Sequence, residues 1–233
     1  TMWRQLRSVF ESIQRNTDVR CVQIEGADGA FCAGGDISEY PAFRFDAAAL
    51  RDFHENDVWG GLQAMLDCDV PIVAHITGAC MGAGVEIASC CDIRIAGSSA
   101  RFGAPIARLG FPMAPREAQL VAGAVGDVTA RQMLLEAATF SAAEMLARGF
   151  LSRVTEPALL AADALGTACR VAALAPGAAR MNKQTFRALK VPQAPDGKAL
   201  AAIGNIVNGT PDPYAYADSA EHREGIAAIF AKR

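Results

Sequence analysis

Apolar residues recur along this chain with two different periods. Met2, Leu6, Val9, Phe10 and Ile13 fall at the three- and four-residue spacing of an amphipathic helix, which Asn16-Thr17-Asp18 closes. Cys21-Val22-Gln23-Ile24 then predicts a short buried strand, ended by Gly26 and the polar turn Ala27-Asp28-Gly29. Helical spacing returns over residues 47–66 through Leu50, Phe53, Val58, Leu62 and Met65. Pro71-Ile72-Val73-Ala74-His75-Ile76 predicts a second buried strand. Residues 77–84 are small and glycine-rich, residues 85–91 predict a helix, and residues 92–96 a third strand ended by Gly97. Strand, glycine turn, helix and strand in that order form a βαβ-type unit, so a largely parallel sheet covered by helices is expected.

After Pro115 the pattern is mostly helical. Residues 118–125, 129–138 and 141–148 predict three short helices, and residues 151–155 a short strand. Pro157 suits the first turn of a further helix, which Pro176-Gly177 ends. Helices are also expected over residues 178–189 and 198–207. Asp218 with Glu221 three residues on reads as a cap before a last helix over residues 221–231. The organisation expected is a mixed core over residues 1–175 and a helical region over residues 176–233, with no internal repeat.

Composition narrows the class. At 233 residues, 52% hydrophobic and 20% charged, the chain is globular rather than disordered. The net charge is −3 with the signs interspersed. No basic stripe answers a phosphate backbone, so nucleic acid is not an expected partner, although a few local Lys and Arg could meet a small phosphorylated ligand. No run approaches the ~18 apolar residues of a membrane span. The opening Thr1-Met2-Trp3-Arg4 leads into no apolar signal core, so a cytoplasmic location is expected. The 7 cysteines are odd in number and form no CxxC, which predicts reduced, mostly buried thiols. His54, His75 and His222 are too scattered to predict a metal site, and His75 reads as a strand residue.

Two glycine-rich turns follow two apolar strands, and in a parallel sheet such turns lie at the carboxyl edge where ligands bind. Glycine and alanine leave the backbone open, so a ligand oxygen can approach an N–H closely. One N–H from each turn would make an oxyanion hole, although glycines also serve simply to shape turns. Gly82-Ala83-Gly84-Val85-Glu86 adds a carboxylate three residues after Ala83, on the same helix face. In apolar surroundings its charged form is disfavoured, which suits a general acid or base. A carboxylate in a first helical turn is equally explained by the helix dipole.

Ala30-Phe31-Cys32-Ala33-Gly34-Gly35-Asp36-Ile37 closely resembles the first signature of the enoyl-CoA hydratase/isomerase (crotonase) superfamily. The run from Ile76 through Gly82-Ala83-Gly84-Val85-Glu86-Ile87, followed by Cys91-Asp92-Ile93-Arg94-Ile95-Ala96, resembles the second. Ala100-Arg101-Phe102-Gly103-Ala104-Pro105 is similar to the next family segment, and Glu224 to Phe230 with Lys232-Arg233 to its C-terminal helix. The resemblance implies an α/β fold, a crotonase-like spiral of ββα units with a helical C-terminal region that packs between subunits of a homotrimer or hexamer. It implies an acyl-CoA thioester as ligand, with coenzyme A present only as part of the substrate and no separate cofactor or metal. The oxyanion amides carry over to Gly35 and Ala83, and the first catalytic glutamate to Glu86. Ala33, Asp36 and Ile37 match positions beside the adenine and pantetheine, and Gly82 belongs to the same binding turn.

Two departures accompany the match. Where family hydratases carry a Pro-Glu pair, this chain has Pro105-Ile106. Ile106 moves no proton, so the expected function is a hydratase-like lyase, with double-bond isomerisation and a non-catalytic acyl-CoA binder as alternatives. Ile106, Trp59 and Phe111 are expected along the acyl pocket, and the nearby Arg108, Arg116 and Glu117 as surface or helix-start residues in preference to substitutes for the missing catalytic group. Family chains also usually begin with a strand hairpin ahead of the first helix, whereas this sequence opens on that helix.

Overall fold

In the computed structural model, which describes residues 2–174, 176–190, 205–207, 210–212, 217–218 and 220–231, the first seven strands divide between two sheets. The first sheet is parallel throughout and ordered β1 (Val22–Glu25), β2 (Ile72–Ile76), β4 (Ile93–Gly97), β7 (Arg153–Thr155). Its registers run Val22 opposite Ile72, Val73 opposite Ile93 and Ile95 opposite Arg153. The second sheet joins β3 (Ala79–Met81) in parallel to β5 (Arg101–Gly103), and β5 antiparallel to β6 (Thr139–Ser141). The strand pairs β2–β3 and β4–β5 each cross from one sheet to the other, as ββα units require.

Central β2 reads as an unbroken apolar run because both its faces are covered. Ile72, Val73, Ala74 and Ile76 are all buried. One face packs on α8 (Pro157–Ala172), where Leu160 and Ala164 meet Val73 and Ile95. The other joins the main core with Leu62, Met65, Phe102, Met133, Met145 and Phe150. Phe102 and Phe150 meet edge to face at 5.9 Å. Truncating such a fully enclosed side chain to Ala costs about 2–5 kcal/mol.

The opening helix is α1 (Met2–Arg15). The helical run expected over residues 47–66 is α2 (Ala47–Asp52), a π-helical turn (Phe53–Val58) and α3 (Trp59–Asp67), without interruption. The helix expected from residue 85 begins earlier, as α4 (Ala83–Ser89), because Gly82 turns the chain sharply at φ 50° and ψ −112°. Pro115 likewise opens α5 (Pro115–Val125), followed by α6 (Asp127–Leu135) and α7 (Ala142–Ala147). A Ser141–Glu144 capping box starts α7.

α9 (Pro176–Lys190) docks through polar contacts. Lys183 pairs with Asp92 at 2.8 Å and donates to the Val70 carbonyl at 2.9 Å, while Gln184 and Arg187 both reach Asp69. The last helix is α10 (Ala220–Phe230).

One expectation is corrected. Of the helix expected over residues 198–207, residues 198–204 lie outside the described residues, and Asn205–Val207 is a strand, β8, paired antiparallel with β9 (Thr210–Asp212). The physical reason stands in the sequence: β-branched Ile206, Val207 and Thr210 flank Asn208-Gly209, a strong hairpin dipeptide.

Candidate active site

After β1 the chain runs alongside β3 and is held to it by backbone. Phe31 N–H donates to Thr77 O at 2.8 Å, Cys32 N–H to Ala79 O at 2.9 Å, and Met81 N–H to Cys32 O at 2.8 Å. The first glycine turn is thereby pressed against the second. A Cβ at Gly82 would lie 3.8 Å from Gly34 Cα, and one at Gly84 only 2.8 Å from the Cys32 carbonyl. Gly34 and Gly82 sit at φ 115° and 50°, where side chains are strained. At Gly35 a Cβ would fall 2.7 Å from the Tyr40 hydroxyl, so only glycine lets Tyr40 close over that turn.

The two turns open on one cavity of about 720 Å³, which both Gly35 and Ala83 line. Ala83 is the first residue of α4, so its N–H has no acceptor within the helix. Among the described residues, neither the Gly35 nor the Ala83 amide donates to a backbone carbonyl outside helices or to a side chain.

Glu86, one turn along α4, faces the same cavity and is 7% exposed. Burial pushes its carboxyl well above the usual carboxylate range. The nearby charge of Glu117 pushes the same way, and Arg44 opposes them. Both burial and Glu117 favour the protonated form of Glu86.

Three further charged or titratable side chains line the cavity and were not expected there. Glu117 is the helix-start residue expected, in the first turn of α5, but it is 3% exposed and lines the cavity instead of lying on the surface. It accepts a hydrogen bond from His54 Nδ1 at 2.8 Å, and His54, 7% exposed, comes from the π-helical turn. Arg44, 3% exposed, follows the 3₁₀ turn Ile37–Ala42 and lies between the Tyr40 and Phe111 rings. No local pattern announces these residues. Each is an isolated polar side chain in its own segment, and only the fold unites them. The π-turn, a feature frequent at functional sites, is the nearest thing to a signal.

The other anticipated residues sort plainly. Ala33, Asp36, Ile37, Gly82, Ile106 and Phe111 all line the cavity. Asp36 also shapes the chain locally, because its Oδ1 accepts from Ser38 N–H at 2.9 Å and from Ser38 Oγ–H at 2.6 Å and so caps the 3₁₀ turn. Those bonds hold its carboxyl below the usual range.

Trp59 does not reach this cavity. It lines a separate groove of about 360 Å³ beside α1, under the guanidinium of Arg116 at 5.6 Å. Arg116 is a surface residue paired with Glu55 at 3.2 Å, while Arg108 sits at the cavity mouth. His75 is a strand residue bonded to Glu25 at 2.8 Å. All the cysteines are free; Cys68, Cys80, Cys90 and Cys91 are buried, whereas Cys169 is exposed. Among the described residues no cluster of three His, Cys, Asp or Glu could hold a metal, and no helix is long and apolar enough to cross a membrane.

Strand pairs alternating between two sheets, with glycine turns opening on an apolar cavity, are the architecture of crotonase-fold proteins. The chain belongs to the enoyl-CoA hydratase/isomerase family, whose model matches residues 1–202. It is an enzyme of that family by its relatives. It is 30% identical over 233 residues to a probable enoyl-CoA hydratase of Rhizobium meliloti, covering 100% of this chain and 85% of that one. It is 32% identical over 184 residues to a short-chain-enoyl-CoA hydratase of Clostridium acetobutylicum, covering 78% of this chain and 69% of the relative. Among solved structures, an enoyl-CoA hydratase/carnithine racemase of Magnetospirillum magneticum superposes with a TM-score of 0.80 at 33% identity, covering 100% of this chain and 83% of that one.

Proposed function

We propose that this chain is a hydratase-like lyase acting on 2-enoyl-CoA thioesters. The observation that carries the reading is a buried carboxyl, Glu86, whose protonated form burial favours, one helical turn from the unengaged Ala83 amide in a cavity that Gly35 also lines.

In this reading the thioester oxygen lies between the Gly35 and Ala83 N–H groups, which stabilise the negative charge that develops as an enolate forms. Water bonds through its oxygen to the β carbon, and the π electrons move onto the thioester oxygen. The proton lost by the water passes to a carboxylate, and Glu86 delivers its own proton to the α carbon as the enolate collapses. Ile106 supplies no carboxylate, and Glu117 offers one from a different element. It is hydrogen-bonded to His54, which orients it as a base for the attacking water. Coenzyme A enters only as part of the substrate.

The test is hydration of crotonyl-CoA by the wild type and by Glu86→Gln. Loss of a positioned general acid is expected to lower kcat/KM by about 10²–10⁴-fold. A wild type that leaves crotonyl-CoA unchanged yet moves the double bond of a 3-enoyl-CoA, with dependence on Glu86, would replace this reading by isomerisation. Isomerisation needs only one proton-moving group.

A further inference from the structure

The cavity holds a cation that the proposed hydration does not use. Arg44 is 3% exposed, and its Nε and Nη1 are buried with no hydrogen-bond partner. Its guanidinium carbon lies 4.1 Å from the Tyr40 ring centroid and 3.8 Å from that of Phe111. The two rings meet edge to face at 6.0 Å, and Arg44 N–H donates to the Tyr40 carbonyl at 2.9 Å, which fixes the stem. Aromatic faces attract a cation but accept none of its in-plane N–H bonds. The two ring centroids stand at roughly a right angle about the guanidinium carbon, so part of the group stays uncovered by the rings, and the residue lines the cavity together with Glu86.

A guanidinium offers five donors in a rigid fork and matches a carboxylate two bonds at a time. A buried charge without hydrogen bonds is costly, and it persists where a ligand completes it. The protein carboxylates nearby do not complete it. Glu117 is engaged by His54, and no hydrogen bond joins Glu86 to Arg44 among the described residues.

We infer that Arg44 is a specificity-determining residue that receives a carboxylate borne on the acyl chain, so that the preferred substrates are carboxyacyl thioesters of coenzyme A. The inference rests on the acyl-CoA reading above and narrows it. A plain hydrocarbon acyl group would dry the guanidinium edge without giving it an acceptor, and is selected against for that reason.

The experiment is calorimetric titration of the wild type with succinyl-CoA and glutaryl-CoA, each beside its carboxamide counterpart, which keeps the shape and removes the charge. Either acid is expected to bind at least about tenfold tighter than its amide. Arg44→Met should bring that ratio to about one, and Arg44→Lys should restore part of it, since a point charge lacks the planar fork. Ratios near one for both pairs in the wild type, or a preference that survives Arg44→Met, would overturn the inference. Amides that bind while the ratio stays flat would leave the acyl-CoA reading standing and this one fallen; failure of all the thioesters to bind would remove both. If Arg44→Met does not fold, the wild-type ratio and its response to Arg44→Lys decide alone.

Discussion

The two walls of the cavity are built by different means. The wall formed by residues 31–37 and 81–86 is backbone architecture: Cys32 N–H donates to Ala79 O and Met81 N–H to Cys32 O, Gly34 lies close beside Gly82, and the Gly35 and Ala83 amides are unengaged. The opposite wall, carrying Arg44, His54, Phe111 and Glu117, is side-chain architecture assembled from a loop, a π-helical turn and the start of α5. In the proposed reading the first wall fixes which atom can become negative and changes little with side-chain identity. The second, in the same reading, decides what is attached to that atom and how protons reach it, and single substitutions can rewrite it.

The comparison can be broken first at the backbone wall. Ala83→Pro deletes the amide hydrogen at a helix's first position, where proline is accepted. The expected loss in kcat for enoyl-CoA hydration is about 10²–10³-fold, with circular dichroism unchanged. Ala83→Gly keeps the donor and should stay close to wild type. Equal effects of the two substitutions would mean that the amide takes no part.

A smaller effect is expected on the side-chain wall. Glu117→Gln removes the group assigned to the attacking water and should slow hydration by about 10²-fold. It also removes a charge that pushes Glu86 upward. Activity that requires protonated Glu86 falls as pH rises through its pKa, so the alkaline limb of the rate profile should move to lower pH in Glu117→Gln. A limb that stays in place would separate the two carboxyls.

The smallest effect concerns stability. Glu86 holds its proton more firmly folded than unfolded, because burial raises its pKa. Between the ordinary glutamate value and the raised one, the folded state binds more protons, so stability falls as pH rises. Glu86→Gln lacks that loss. Its unfolding free energy relative to wild type, measured by denaturant titration, should climb from acid to alkaline conditions with a slope of at most about 1.4 kcal/mol per pH unit. A constant offset would indicate that the carboxyl is not buried in a proton-holding state.

The same contrast explains what could be read from the chain. Gly34-Gly35 and Gly82-Ala83-Gly84 are contiguous motifs after apolar strands, and local pattern suffices to find them. β2 was legible because burial on both faces demands an unbroken apolar run. β3, β5 and β6 were not, since three residues such as Ala79-Cys80-Met81 carry little strand preference and gain it only from their neighbours. Glu117 read as a helix-start charge two residues after Pro115, and nothing in its vicinity indicates that α5 turns it inward to His54, 63 positions away. Arg44 was silent for the same reason: its two aromatic neighbours lie at positions 40 and 111, and only the second was tied to the pocket.

One side chain touches both walls. The hydroxyl of Tyr40 rests 2.7 Å from where a Cβ at Gly35 would be, and its ring carries the Arg44 guanidinium. In the proposed acyl-CoA reading Tyr40 works as a ruler laid between the thioester end and the far end of the acyl group. Its rigid length sets a gauge for how many carbons fit between them, and evolution could retune the enzyme's chain length by changing this one spacer while leaving the reacting atoms alone.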